Sequence, residues 1–137
     1  MGLYPENGYG STINMSNQKE HKDMVAALAK SGEAIRVELN SSDCHELHMA
    51  IGICGEAGEL IDAVKKATIY RKPLDRENVI EELGDLEFYM EGLRASYGIT
   101  REETLEANLN KLLKGDRARY KSGSYSDDQA QDRADKQ

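Results

Sequence analysis

The sequence has little of what ties a chain to a membrane, a nucleic acid or a disulfide framework. It holds no tryptophan and one phenylalanine, and only 6% of its 137 residues are aromatic. No apolar run approaches the roughly 18–20 residues that cross a bilayer. Met1–Asn14 lacks the basic and apolar regions of a secretory signal. These absences lead us to expect a cytoplasmic protein without a membrane partner. Positive charge is in the minority: 18 Lys and Arg stand against 25 Asp and Glu, a net charge of −7. Nucleic-acid backbones demand clustered Lys and Arg. Outside the short Lys111–Lys121 stretch there is no such cluster, so no nucleic-acid partner is expected. An acidic chain still binds a small phosphate compound when divalent cations intervene. Cysteine is limited to Cys44 and Cys54, both in one expected helix. Ten helical residues hold their Cα atoms ~15 Å apart, too far for a disulfide. Two reduced, structural thiols are expected.

Strand-like alternation is also missing. Apolar residues return at three and four, the helical period. The length suits one domain, expected over residues 16–120. Residues 1–15 are Gly-rich and unpatterned and read as a flexible segment. The polar run 121–137, with Ser122-Gly-Ser-Tyr-Ser-Asp-Asp, reads as a flexible tail. Four helical segments lie between. Asn17 with Glu20 offers a cap for the first, which carries Met24, Val25, Leu28 and Ala29. Gly32 weakens it, and Ile35, Val37 and Leu39 offer an extension. Asp43 with Glu46 suggests a capping box for the second, which runs to about Tyr70 and stops before Pro73. The third follows Asp75 and runs to about Tyr97, ended by Gly98. Thr100 and Glu103 open a fourth through Leu105, Leu109 and Leu112, ending near Gly115. The expected fold is all-α, a bundle of about four main helices. The short link from Tyr70 to Asp75 makes the second and third an antiparallel central pair.

Two segments of that pair carry acids at i, i+3: Glu56 with Glu59 in Gly55–Leu60, and Glu82 with Asp85 in Glu81–Leu86. Residues three apart share a helix face. Stepping about 100° per residue, Ala50, Ile53, Cys54, Ala57, Leu60, Ile61 and Val64 form one apolar arc of the second helix. Glu56 lies at its edge and Glu59 just beyond, with Gly52 and Ala63 on the same strip. On the third helix Glu82 falls inside the arc of Val79, Leu83, Leu86, Met90 and Leu93, and Asp85 at its edge. A carboxylate on an apolar face must be protonated, paired or bound to metal. Four converging acids call for a hard cation, and Mg²⁺ takes carboxylate and water oxygens and bridges to phosphates. Zinc would need His or Cys at a recognised spacing, and Cys44, His45 and His48 form none. The competing reading is ordinary ion pairing with Lys65, Lys66, Arg94 or Lys111.

The double motif GEAGEL…EELGDL resembles that of the all-α nucleoside triphosphate pyrophosphohydrolases, and the MazG-like branch is the nearest. Dimeric dUTPases, dCTP pyrophosphatases and phosphoribosyl-ATP pyrophosphohydrolases are relatives. The resemblance runs from about Asp43 to Tyr120. It implies hydrolysis of a nucleoside triphosphate to monophosphate and pyrophosphate. It also implies dependence on Mg²⁺, with Mn²⁺ as an alternative, and a homo-oligomer, dimer or tetramer. By the same resemblance Glu56, Glu59, Glu82 and Asp85 are the metal ligands, and we expect Glu59 and Glu82 to be essential to catalysis. Asn108 and Lys111 match a polar pair that faces substrate on the last helix of such proteins. Tyr89, one turn after Asp85, matches a substrate-contacting tyrosine, and Lys65 and Lys66, about two turns past the first motif, each lie where they can reach a phosphate. Without tryptophan, base stacking falls to Tyr, Phe88 or a neighbouring subunit. One motif set excludes the two-domain MazG form. The rival class is a non-catalytic helical interaction module, which would bind no Mg²⁺ through these acids.

Overall fold

A computed structural model describes residues 15–136; the flexible segment expected over 1–15 lies outside them, apart from Met15. The described residues contain no strand. The chain divides after Leu39 into two units. The first holds α1 (Met15–Leu28) and α2 (Gly32–Glu38). Asn17 lies inside α1 rather than capping it. The break at Gly32 is complete: Ser31 caps α2 by accepting the Ala34 N–H at 3.1 Å.

The second unit carries α3 (Ser41–Thr68), α4 (Arg76–Ser96) and α5 (Arg101–Leu109), which continues as a π-helix over Asn110–Lys114. Helix α3 starts earlier than Asp43 because Asn40 is the cap. Its side chain accepts the Ser42 and Asp43 N–H groups, and the Asp43 carboxylate accepts the Asn40 N–H in return. The end of α3 is set before the proline is reached. Arg71 takes a left-handed conformation, φ 53°, and the Lys72 N–H donates to the Lys66 carbonyl, which turns the chain out of the helix. Asp75 caps α4, and Gly98, φ 64°, follows its end. Thr100 and Glu103 form the expected reciprocal box on α5. Gly115 closes the π-turn: a Cβ there would lie 2.7 Å from the Asn110 carbonyl oxygen.

Helices α3 and α4 pack side by side along their length. Met49 meets Gly92, Gly52 meets Tyr89 and Glu59 meets Glu82, so positions rise on α3 as they fall on α4. The pair is therefore antiparallel. The seam on α3 runs through Met49, Gly52, Ile53, Glu56, Leu60, Ala63 and Ala67, all buried or half-buried. This corrects the expected orientation. Much of the apolar arc, including Cys54, Ile61 and Val64, stays exposed, and the strip of small residues that carries Glu56 packs against α4. Small side chains let two helices approach; a row of Ile and Val would hold them apart.

Past Gly115 the chain folds back. Arg119 and Tyr120 donate backbone N–H groups to Lys111 and Leu112 carbonyls, and Ala118 is 1% exposed. The run read as a flexible tail carries α6 (Asp127–Asp132) and a 3₁₀ turn, Ala134–Lys136. The Arg119 guanidinium grips the Asp135 carboxylate through two bonds of 2.8 and 3.0 Å. That guanidinium holds the Asp135 carboxyl well below the usual range. The partners are sixteen residues apart, a separation no local pattern reveals.

Candidate active site

Helix α3 places Glu56 and Glu59 one turn apart, and α4 places Glu82 opposite them. One carboxylate oxygen from each of the three lies within 4.8 Å of the others. The approach depends on Gly52. A Cβ there would stand closer than 3.0 Å to Cδ1, Cε1 and Cγ of Tyr89. Gly92 receives the Met49 side chain in the same way, one turn further along.

Glu82 is 8% exposed and is the one buried charged residue among those described. Burial pushes its carboxyl pKa up, and the charges of Glu59, Glu56, Asp85 and Glu81 push it further in the same direction. The ion pairs that would relieve this strain are made elsewhere. Lys65 and Lys66 bind Asp62, and Arg94 binds Glu87 and Glu91. Among the described residues no Lys or Arg pairs with Glu56, Glu59, Glu82 or Asp85. Of the cations that the ion-pair reading named, Lys66 is the one that shares a pocket with Glu82 and feels its charge, and its bond goes to Asp62. A pocket of about 350 Å³ opens beside the acids, lined by Gly58, Glu59, Asp62, Lys66, Asn78 and Glu82.

Residues 45–119 match the MazG nucleotide pyrophosphohydrolase domain, more than half of the chain. The chain belongs to the MazG family. No curated protein and no solved structure matches it. The MazG region begins in the first turns of α3 and ends at Arg119, so it contains the whole acidic cluster and its pocket.

Within the MazG region the sequence-derived residues fall into three places. Glu56, Glu59 and Glu82 converge, and Lys66 joins them in the pocket. Asp85 is exposed and lies outside the group of three, although its charge reaches Glu82. Tyr89 sits over Gly52 at the helix crossing, its ring 6.0 Å edge-on from His48 and 5.2 Å from Phe88. Asn108 on α5 and Lys111 on the π-helix do not line the pocket. Two polar pocket residues escaped the sequence reading. Asp62 continues the i+3 row of Glu56 and Glu59, a signal that was present. Asn78 lies in the first turn of α4, where nothing local marks it.

The donor set fits a divalent cation. It is all carboxylate oxygen, which suits hard ions, and it includes a buried acid without a cationic partner. A stability effect follows. The raised Glu82 pKa means the folded, metal-free protein binds more protons than the unfolded chain between the usual glutamate value and the raised one. Its contribution to stability is complete below the usual value and is lost as pH rises through the raised one. In EDTA the melting temperature of the protein, referenced to Glu82→Gln, is expected to fall as pH rises from acid to neutral. Mg²⁺ is expected to restore it at neutral pH and to do little in acid. Parallel thermal melts check this, and a wild-type profile identical to that of Glu82→Gln would refute it.

Proposed function

We propose that this protein is a Mg²⁺-dependent nucleoside triphosphate pyrophosphohydrolase that converts (d)NTP to (d)NMP and pyrophosphate. The convergence of Glu56, Glu59 and buried Glu82, with Lys66 across the same pocket, carries the reading. Glu56, Glu59 and Glu82 would hold the ion, with Asp85 one turn from Glu82 as a further ligand; Mn²⁺ suits the same donors. When bound, the cation neutralises phosphate oxygens and makes a phosphoanhydride accessible to a nucleophile.

The chain supplies the rest. Glu59, exposed at the pocket edge, accepts a hydrogen bond from a water and takes its proton as the water oxygen attacks the α-phosphorus. The bond from that phosphorus to the bridging oxygen breaks, and the electron pair leaves with pyrophosphate. Glu82, the buried member, would hold the ion from α4 opposite Glu56 and Glu59. The Lys66 ammonium offsets negative charge on the phosphates. Tyr89, between His48 and Phe88, offers an aromatic edge for the nucleoside.

Asn108 and Lys111 enter the reading through association. On α3 the positions Leu47, Ile51, Cys54, Gly58 and Ile61 alternate at four and three residues and are all exposed, the spacing of a coiled-coil seam. An open apolar groove of about 460 Å³ lies along Leu60, Ile61, Val64, Thr68 and Ile69. A second copy of the chain would cover this face, and a dimer or tetramer could bring Asn108 and Lys111 of one subunit to the substrate of another.

The test is pyrophosphate release from a panel of NTPs and dNTPs, with Mg²⁺, with Mn²⁺ and with EDTA. Metal-dependent release with monophosphate as co-product is expected, and EDTA is expected to abolish it. If every nucleotide stays intact, phosphoribosyl-ATP is the next substrate. Failure there too would leave a non-catalytic helical module.

A further inference from the structure

We infer that Asp62 is a positioning residue that holds the Lys66 ammonium in the pocket for the phosphates of the substrate. The inference rests on the proposed reading, in that the pocket must receive a polyphosphate.

Asp62 has the sequence address of a third metal ligand on α3, three residues past Glu59 as Glu59 is past Glu56. The structure gives it other work. Its Oδ2 lies 2.9 Å from Lys66 Nζ and its Oδ1 3.0 Å from Lys65 Nζ. Both oxygens are thus committed to ammonium groups, and Asp62 is absent from the group of converging acids. The two lysines hold its carboxyl below the usual range, Lys66 contributing most.

Geometry explains the choice of Lys66. Helical side chains lean toward the N-terminus, so Lys66 reaches back one turn, past Asp62 and toward Glu59. Asp at i with Lys at i+4 is the better orientation of such a pair. The amino group also feels the charges of Asp75 and Glu82. It stands in the same pocket as Glu59 and Glu82, with Asn78 from α4 contributing to the lining. A free lysine samples many rotamers, and a carboxylate anchored on a second lysine narrows them before substrate arrives. Arg36 with Glu33 is also a close helical pair, but it lines none of the pockets described above. An exposed pair contributes little to stability, so an effect of Asp62 on ligand binding is separable from an effect on folding.

The measurement is calorimetric binding of pyrophosphate with saturating Mg²⁺, alongside steady-state hydrolysis, for the full chain and for Asp62→Asn, Asp62→Glu and Lys66→Met. Lys66→Met is expected to weaken pyrophosphate binding on the order of tenfold or more, the effect of losing a charge-assisted bond. Asp62→Asn is expected to weaken it several-fold and to raise KM more than it lowers kcat. Asp62→Glu should recover most of both. Mn²⁺ affinity without pyrophosphate should change less than pyrophosphate affinity in Lys66→Met and Asp62→Asn, because the charge of the pocket is altered and no ligand is lost. Unchanged pyrophosphate binding in Lys66→Met or Asp62→Asn overturns the inference. So does a loss of Mn²⁺ affinity in Asp62→Asn as large as its loss of pyrophosphate affinity, which would make Asp62 a ligand, and so does a parent chain that binds no pyrophosphate. Should Asp62→Asn fail to fold, Lys66→Met with Asp62→Glu decides alone. Weaker pyrophosphate binding in the variants, with no nucleotide hydrolysed by the parent, would retain the clamp and reject the proposed reaction.

Discussion

Glu82→Gln is expected to eliminate turnover, lowering kcat/KM on the order of 10³-fold, while the metal-free protein melts no lower than its parent. The magnitude is that of removing a central electrostatic group from an active site. Glutamine keeps the volume and removes the charge. Glu82 is the buried member of the cluster, so no solvent-exposed neighbour can take its place without moving a helix. The stability half of the expectation has an independent cause. Burial and the charges of Glu59 and Glu56 both oppose ionisation of Glu82, so a neutral side chain relieves strain that only a cation otherwise relieves. Function and stability thus move in opposite directions, which a simple packing defect cannot produce. Glu81→Gln, one residue earlier and exposed, serves as the control and should leave turnover near the parent value. Hydrolysis assays paired with melts in EDTA make the test. Normal turnover in Glu82→Gln would remove the acidic cluster from the mechanism.

The second large effect is expected at Gly52. Gly52→Ala should destabilise the protein although alanine is the better helix former. Changing an unconstrained mid-helix glycine to alanine gains about 1 kcal/mol. At Gly52 the new methyl meets the Tyr89 ring, and overpacking of this kind costs about 1–3 kcal/mol. Because Tyr89 is a rigid ring at the crossing, the helices must separate rather than a side chain swing aside. Glu56 lies one turn from Gly52, so the carboxylates spread as well. Misplacement of catalytic groups by about 1 Å costs on the order of 10²-fold in rate, and a loss of that order is expected here. Two comparisons sharpen the test. Gly84→Ala faces open space and should stabilise. Gly92→Ala meets Met49 Sδ, the far part of a flexible side chain, and should cost less than Gly52→Ala. Denaturant titration of the three variants gives the order, and a Gly52→Ala protein as stable as Gly84→Ala would refute the close crossing.

These two sites also mark how far the fold could be read in advance. The start of α4 after Asp75 and the capping box of Thr100 with Glu103 lie where they were expected, because a cap is a bond between residues three apart. The start of α3 shifted to Asn40 because two overlapping boxes compete there and the asparagine captures two N–H groups. Arg71 ended α3 before Pro73 by adopting a conformation that an arginine rarely takes. The inward position of Glu82 was legible, since its own helix carries apolar neighbours on both sides of it. The role of Asp62 was hidden, because an acid in a ligand-like row and an acid clamped by lysines share the same spacing.

By itself the amino-acid sequence determined the helical class, the antiparallel order of α3 and α4, and the pairing of acids along each helix face. All of these follow from interactions within about four residues or from the length of one connection. Only the tertiary structure decided which strip of α3 meets α4, and hence that Glu56, Glu59 and Glu82 converge while Asp85 stands outside and Asp62 turns to Lys65 and Lys66. Periodicity ranks helix faces by hydrophobicity, whereas close packing selects the face whose small residues allow approach. On α3 those two criteria point in different directions, and the strip that holds Gly52, Glu56 and Ala63 prevails.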